Sequence, residues 1–187
     1  MEALCSTTET IEKMDIFPKM RVTRFEQLNP GDLFLCLGRD ENFYALKTAK
    51  QANRDESEMV LLGPTFVDGL AESFILPWDT VTVLSLGTEF TIQLSSDPSV
   101  WSPTGPSRKP VCLAITDEAT YICTNGAEGP HRHLPCYVDM KTGAILERRV
   151  PGIPAYTNTW QITVFGPGDL SRTIIKYPLD STTDPFT

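Results

Sequence analysis

The sequence predicts a mainly β protein with little helix, built as two sequential small β-barrel or sandwich modules. Three observations carry this expectation. Fifteen prolines and twelve glycines among 187 residues suit a chain of short strands and turns better than one of long helices. Residues 28–48, LNPGDLFLCLGRDENFYALKT, read as a turn, a buried strand, a reversal and a second strand, and a fainter copy follows at residues 112–124, CLAITDEATYICT. Residues 89–95, EFTIQLS, alternate strictly, with Phe90, Ile92 and Leu94 on one face and Thr91, Gln93 and Ser95 on the other.

Residues 1–20 read as a flexible leader. Residues 21–25 open the first strand. Asn29-Pro30-Gly31-Asp32 is a turn, because Pro30 presets φ for the first central position and Gly31 supplies the positive φ of a type II turn. Residues 33–37 (LFLCL) are apolar throughout, which suits a strand covered on both faces and predicts burial of both Leu35 and Leu37. Residues 43–46 (FYAL) return the chain. After a polar loop at 50–58, residues 59–62 make a short strand that ends at Gly63-Pro64. Val67, Leu70, Ala71, Phe74 and Ile75 have the spacing of a two-turn helix. Residues 78–84 and 89–95 are strands by pattern.

Residues 96–110 form a Pro/Ser-rich linker or excursion and divide module one (21–95) from module two (111–177). In module two, strands are expected at 111–115, 120–124, from 137, at 144–150, 160–165 and 173–177. Turns are expected at 116–119, 140–143 and 166–169. Residues 178–187 read as a flexible tail. Two sequence echoes raise an internal duplication. At an offset of 77, Asp40, Glu41 and Tyr44 fall on Asp117, Glu118 and Tyr121. At offsets of 81 to 82, Trp78 and residues 82–84 fall on Trp160 and residues 163–165.

The formal net charge is −8. Residues 1–95 carry 8 Lys or Arg against 15 Asp or Glu, and residues 96–187 carry 8 against 9. That balance argues against nucleic acid as a partner, which calls for a basic face. No run approaches the roughly 18 apolar residues of a membrane span, so no membrane partner is expected. The opening residues, MEALCSTTETIEK, have neither a basic n-region nor an apolar core, which points to the cytoplasm, and the five cysteines are then expected as thiols.

Chemistry concentrates at residues 126–136, GAEGPHRHLPC. On a strand, His131 and His133 share a face, so both imidazoles reach one metal, with Cys136, Cys123 or Asp139 completing the set. The G-x4-H-x-H order, with Asp139 and Gly143 beyond it, resembles the first cupin motif. It departs from that motif in its spacing, in having Asp for Glu, and in the lack of a third histidine, so the chain is not assigned to that family. Pro130 and Pro135 bracket the pair, and a polar surface loop is the favoured account of it over a metal site. No Gly-x-Ser-x-Gly, Walker-type loop or Gly-x-Gly-x-x-Gly occurs. Trp101, inside the linker, is the candidate interaction residue, as an exposed contact or as an apolar anchor.

The function expected from these features is a non-catalytic interaction or accessory protein. It would bind a protein partner, or a further copy of itself, through loops or a barrel edge, with no cofactor. A metal-dependent β-barrel enzyme using His131 and His133 is the first alternative. A small-ligand binder with a pocket between the modules is the second. The double change His131→Ala, His133→Ala is expected to leave the melting temperature within about 3 °C, as a surface substitution within about ±0.5 kcal/mol would. Elemental analysis is expected to find no stoichiometric zinc, iron, nickel or manganese. One equivalent of metal, lost on the double change, would establish the metalloenzyme instead.

Overall fold

The computed structural model describes residues 17–37, 42–50, 58–62, 73–75, 81–94, 101–102, 112–125, 135–147 and 149–177, with backbone alone at 58, 73–75, 101–102, 125, 135 and 147. In chain order the strands are β1 (Arg21–Arg24), β2 (Leu33–Leu37), β3 (Asn42–Lys47), β4 (Glu58–Leu61), β5 (Ser73–Ile75), β6 (Thr82–Gly87), β7 (Phe90–Leu94) and β8 (Trp101–Ser102). Then come β9 (Leu113–Ile115), β10 (Thr120–Asn125), β11 (Pro135–Asp139), β12 (Ile145–Glu147), β13 (Ala155–Thr157), β14 (Trp160–Phe165) and β15 (Ser171–Tyr177). The helical content of the described residues is two 3-10 turns, Phe25–Gln27 and Pro167–Asp169. No described helix is long and apolar enough to cross a membrane.

The strands form three antiparallel sheets. The first has the order β1-β6-β2-β3-β4-β5, the second β8-β13-β9-β10-β11-β12, and the third β15-β14-β7. The protein is thus mainly β, as the sequence predicts, and among the described residues no sheet closes into a barrel. The expected helix over residues 67–75 is not what its last residues form. Ser73–Ile75 are extended and pair with β4, Phe74 opposite Met59.

The first two sheets share one topology. Adding seven to each strand number of the first sheet gives the order of the second. Matching rows of side chains follow. In the first sheet Leu33 faces Leu46, which faces Val60. In the second, Leu113 faces Ile122, which faces Val138. All six are 0% exposed and lie in one central core, which also takes Trp160, Ile162 and Val164 from the third sheet. The backbone repeats too. Lys47 N–H donates to the Asp32 carbonyl at 2.9 Å, and at the matching position Cys123 N–H donates to the Cys112 carbonyl at 2.8 Å.

The third sheet joins the two halves. β7 follows β6, β14 follows β13, and the two pair with each other, Phe90 opposite Val164, Ile92 opposite Ile162, and Leu94 opposite Trp160. Residues 70 apart match in this sheet, so exchanging the halves leaves the register unchanged, and Ile92 and Ile162 sit at its centre.

The structural correspondence differs from both sequence echoes. Tyr44 lies in the central core, whereas Tyr121 belongs to a separate cluster on the other face of the second sheet. The offset of 77 therefore finds the right strands with opposite faces, and the cross-strand rows make Ile122 the counterpart of Leu46. The offset of 81 links β6 to β14, strands with different places in their sheets.

The predicted turns form as their residues require. Gly31 has φ +88°, and Asp32 N–H donates to Asn29 carbonyl at 3.0 Å. A β-carbon on Gly31 would run into the Lys141 carbonyl, and one on Gly143 (φ +66°) would come within 2.7 Å of Gly31 N. The turn before β2 and the turn after β11 thus touch backbone to backbone, and Ala49 N–H donates to the Gly143 carbonyl at 2.8 Å.

β2 is covered on both faces, with Leu33 and Leu35 in the central core and Phe34 and Cys36 in a second cluster around Phe25. Leu37 departs from expectation and is 51% exposed, because it is the last residue of β2 and lies beyond the central core. Leu35→Ala is therefore expected to destabilise by about 2–5 kcal/mol in chemical denaturation. Leu37→Ala, by contrast, is expected to stay within about 0.5 kcal/mol.

Candidate functional site

Open sheets end in strands whose outer backbone groups are a template for another strand, and folded proteins blunt these edges with short strands, charged side chains or bulges. Six strands end the three sheets here: β1, β5, β8, β12, β15 and β7. β5 and β12 have three residues each and β8 has two. β1 is bounded by Arg21 and Arg24. β15 carries Arg172 and Lys176, and its pairing with β14 shifts register between Ile162 and Thr163. β7 has none of these devices. It is five residues long, FTIQL, without charge or proline, and its register with β14 is continuous.

Its second edge carries no strand among the described residues. Phe90, Ile92 and Leu94 line the core side, and Leu94 is 39% exposed. The other face is polar. Gln161 donates through its side-chain amide to the Gln93 side-chain oxygen, and Thr163 Oγ1 stands 3.3 Å from that oxygen and 3.3 Å from Thr173 Oγ1. Glu89, just before the strand, is exposed. Among the described residues the open edge of β7 brings together extended backbone, apolar side chains and a polar rim, without the charge or bulge of β15.

The residues singled out from the sequence lie elsewhere. His131 and His133 fall in the connection between β10 and β11, outside the described residues. Cys136 is on β11 opposite Thr124, on the face that turns toward the central core. Cys123 and Asp139, the proposed companions, share the opposite face with Tyr121 and Tyr137. Asp139 also caps its own turn, accepting the N–H groups of Lys141 at 2.8 Å and Thr142 at 2.9 Å. Cys136 thus sits on the other face of the sheet from both, although its thiol is near enough to act on that of Cys123. Among the described residues no three His, Cys, Asp or Glu side chains are placed to hold a metal ion. Trp101 places its backbone in β8, opposite Thr157. Asp117 and Glu118 are exposed at a hairpin tip that Thr116 Oγ1 organises by accepting the N–H of Ala119 at 3.1 Å.

Where the first sheet has the buried pair Asp32 and Lys47, the second has Cys112 and Cys123. The Lys47 ammonium lies 3.4 Å from the centroid of the Phe25 ring, a cation–π contact under the second apolar cluster. Burial pushes the Cys112 thiol up to about 11. Burial, then the neighbouring thiols of Cys112 and Cys136, pushes Cys123 up to about 12. Thiols so raised stay protonated at neutral pH and are poor nucleophiles. Burial also raises Tyr177, whose ring stacks 4.6 Å from that of Trp160 and whose hydroxyl has no hydrogen-bond partner among the described residues.

No family model, curated protein or solved structure matches this chain.

The raised thiols fix the sign of a pH dependence. In the unfolded chain they ionise near 9.0, while in the folded chain they hold their protons to about 11 and 12. Their contribution to stability is complete below pH 9 and is lost as pH rises toward the folded values, because only the unfolded state then sheds protons. Denaturant midpoints are expected to be flat between about pH 7 and pH 8.5 and to fall above about pH 9, with a shallower fall in the double variant Cys112→Ala, Cys123→Ala. An unchanged slope in that variant would assign the effect to other groups.

Proposed function

We propose that the chain is a non-catalytic protein-binding module that receives an extended segment of a protein partner along the free edge of β7. The observation that carries this reading is the contrast between β7 and the other five sheet ends, each of which is short, charged or bulged while β7 is none of these. Strand addition supplies main-chain hydrogen bonds for affinity and alternate side-chain positions for selectivity. Phe90, Ile92 and Leu94 would meet the partner's inward residues, and Thr91 and Gln93 its outward ones.

Random peptides displayed on phage test the reading. Selected peptides are expected to slow hydrogen exchange at the amides of β7. Thr91→Lys, which places on an exposed position the charge that native edges use, is expected to weaken them at least about ten-fold while leaving the melting temperature within about 3 °C. Peptides that protect other strands, or that bind the Thr91→Lys protein equally, would overturn the proposal.

A further inference from the structure

The molecule contains its own example of the strand that the edge of β7 lacks. Exchanging the halves maps β7 onto β14 with the register unchanged. The outer edge of β14 is covered by β15, whose sequence is SRTIIKY. The corresponding edge of β7 is uncovered among the described residues. In the segment that follows β7, the described residues Trp101–Ser102 pair with β13 and not with β7.

We propose, on the strand-addition reading above, that the occupant of this edge is an antiparallel segment of a partner protein in which apolar and basic residues are combined as they are in β15. The matching pairs are specific. On β14, Tyr177 faces Trp160, Lys176 faces Gln161, Ile175 faces Ile162, and Arg172 faces Val164. Shifted by 70 residues, these set an aromatic residue opposite Phe90, a lysine opposite Thr91, a branched apolar residue opposite Ile92, and an arginine opposite Leu94. Alternation puts Glu89 on the same face as Thr91, so the lysine would stand diagonal to Glu89, at the roughly 7–8 Å spacing that long side chains bridge.

The charge of the local sequence agrees. From residue 55 to residue 107, the stretch that contains β7, there are eight Asp or Glu and no Lys or Arg. Of the eight, Glu89 is the one whose side chain is described, and it is exposed immediately before β7. A basic segment meets that charge with the opposite sign, whereas a second copy of this chain brings the same sign.

The probe is a fluorescent peptide carrying Ser171 to Tyr177, compared with the same peptide bearing Arg172→Glu and Lys176→Glu. The parent peptide is expected to slow exchange at β7 amides, to bind at least about ten-fold more tightly than the reversed peptide, and to weaken as salt rises from about 50 mM to about 300 mM. Glu89→Lys in the protein is expected to remove most of the preference. Equal binding of the two peptides, or protection confined to β14 through exchange with the resident β15, would overturn the inference. So would light scattering that shows a dimer dissolved by Thr91→Lys. A neutral or acidic displayed peptide that protects β7 as well as the basic one would leave strand addition standing and remove only the charge assignment. Failure of every peptide to protect β7 would remove both.

Discussion

The antiparallel pairing of β7 with β14 is the constraint on which the rest of the fold depends. Each half of the chain makes a six-stranded sheet, and one face of each sheet goes into a single core that the third sheet shares. The third sheet takes one strand from the first half and two from the second, and Ile92 opposite Ile162 sits at its centre. Its core face, with Trp160, Ile162 and Val164, closes a cluster to which the first sheet gives Leu33, Leu46 and Val60 and the second gives Leu113, Ile122 and Val138. A one-residue slip in this register would turn the polar row of Gln93, Gln161 and Thr163 into that cluster, so the slip is strongly opposed.

A second contact ties the halves at another place. Gly31 and Gly143 meet where neither position has room for a β-carbon, and both need a positive φ. Away from these seams the halves diverge. The outer face of the first sheet carries Phe25, Phe34, Met59 and a buried lysine, while that of the second carries Tyr121, Tyr137, Val150 and two raised thiols. The shared features are those that the common core demands, and the outer faces are free to differ.

Local patterns in the sequence show much of this. Strict alternation marks β7, the unbroken apolar run marks β2 as covered on both faces, and Pro30-Gly31 marks its turn. What the sequence hides is non-local. Leu37 looks like Leu35 because the run is uniform, and only the limit of the core tells them apart. Tyr44 and Tyr121 match as letters but face opposite ways, since the rows that set Leu46 in the place of Ile122 fix an offset of 76 for these strands, one residue short of the 77 that aligns the letters. The candidate site was hidden for the same reason. Residues 89–95 show that β7 lacks charge and proline, but which strands end a sheet is settled by pairings 70 residues apart. The histidine pair drew notice by rarity, and the partners proposed for it lie on opposite faces of one sheet.

Edge chemistry links the fold to its proposed use. A five-residue strand with one apolar face and an open edge is a hazard for self-association, and β15 shows how this chain blunts such an edge, with Arg172, Lys176 and a register shift. Nothing comparable stands on β7, and exposed Glu89 lies just before it. An acid there disfavours a second copy, which brings the same sign, and leaves the backbone open to a segment of opposite sign. The same arrangement would therefore suppress self-pairing and select a partner, which a lysine on β7 itself would not do, because it would close the edge to both.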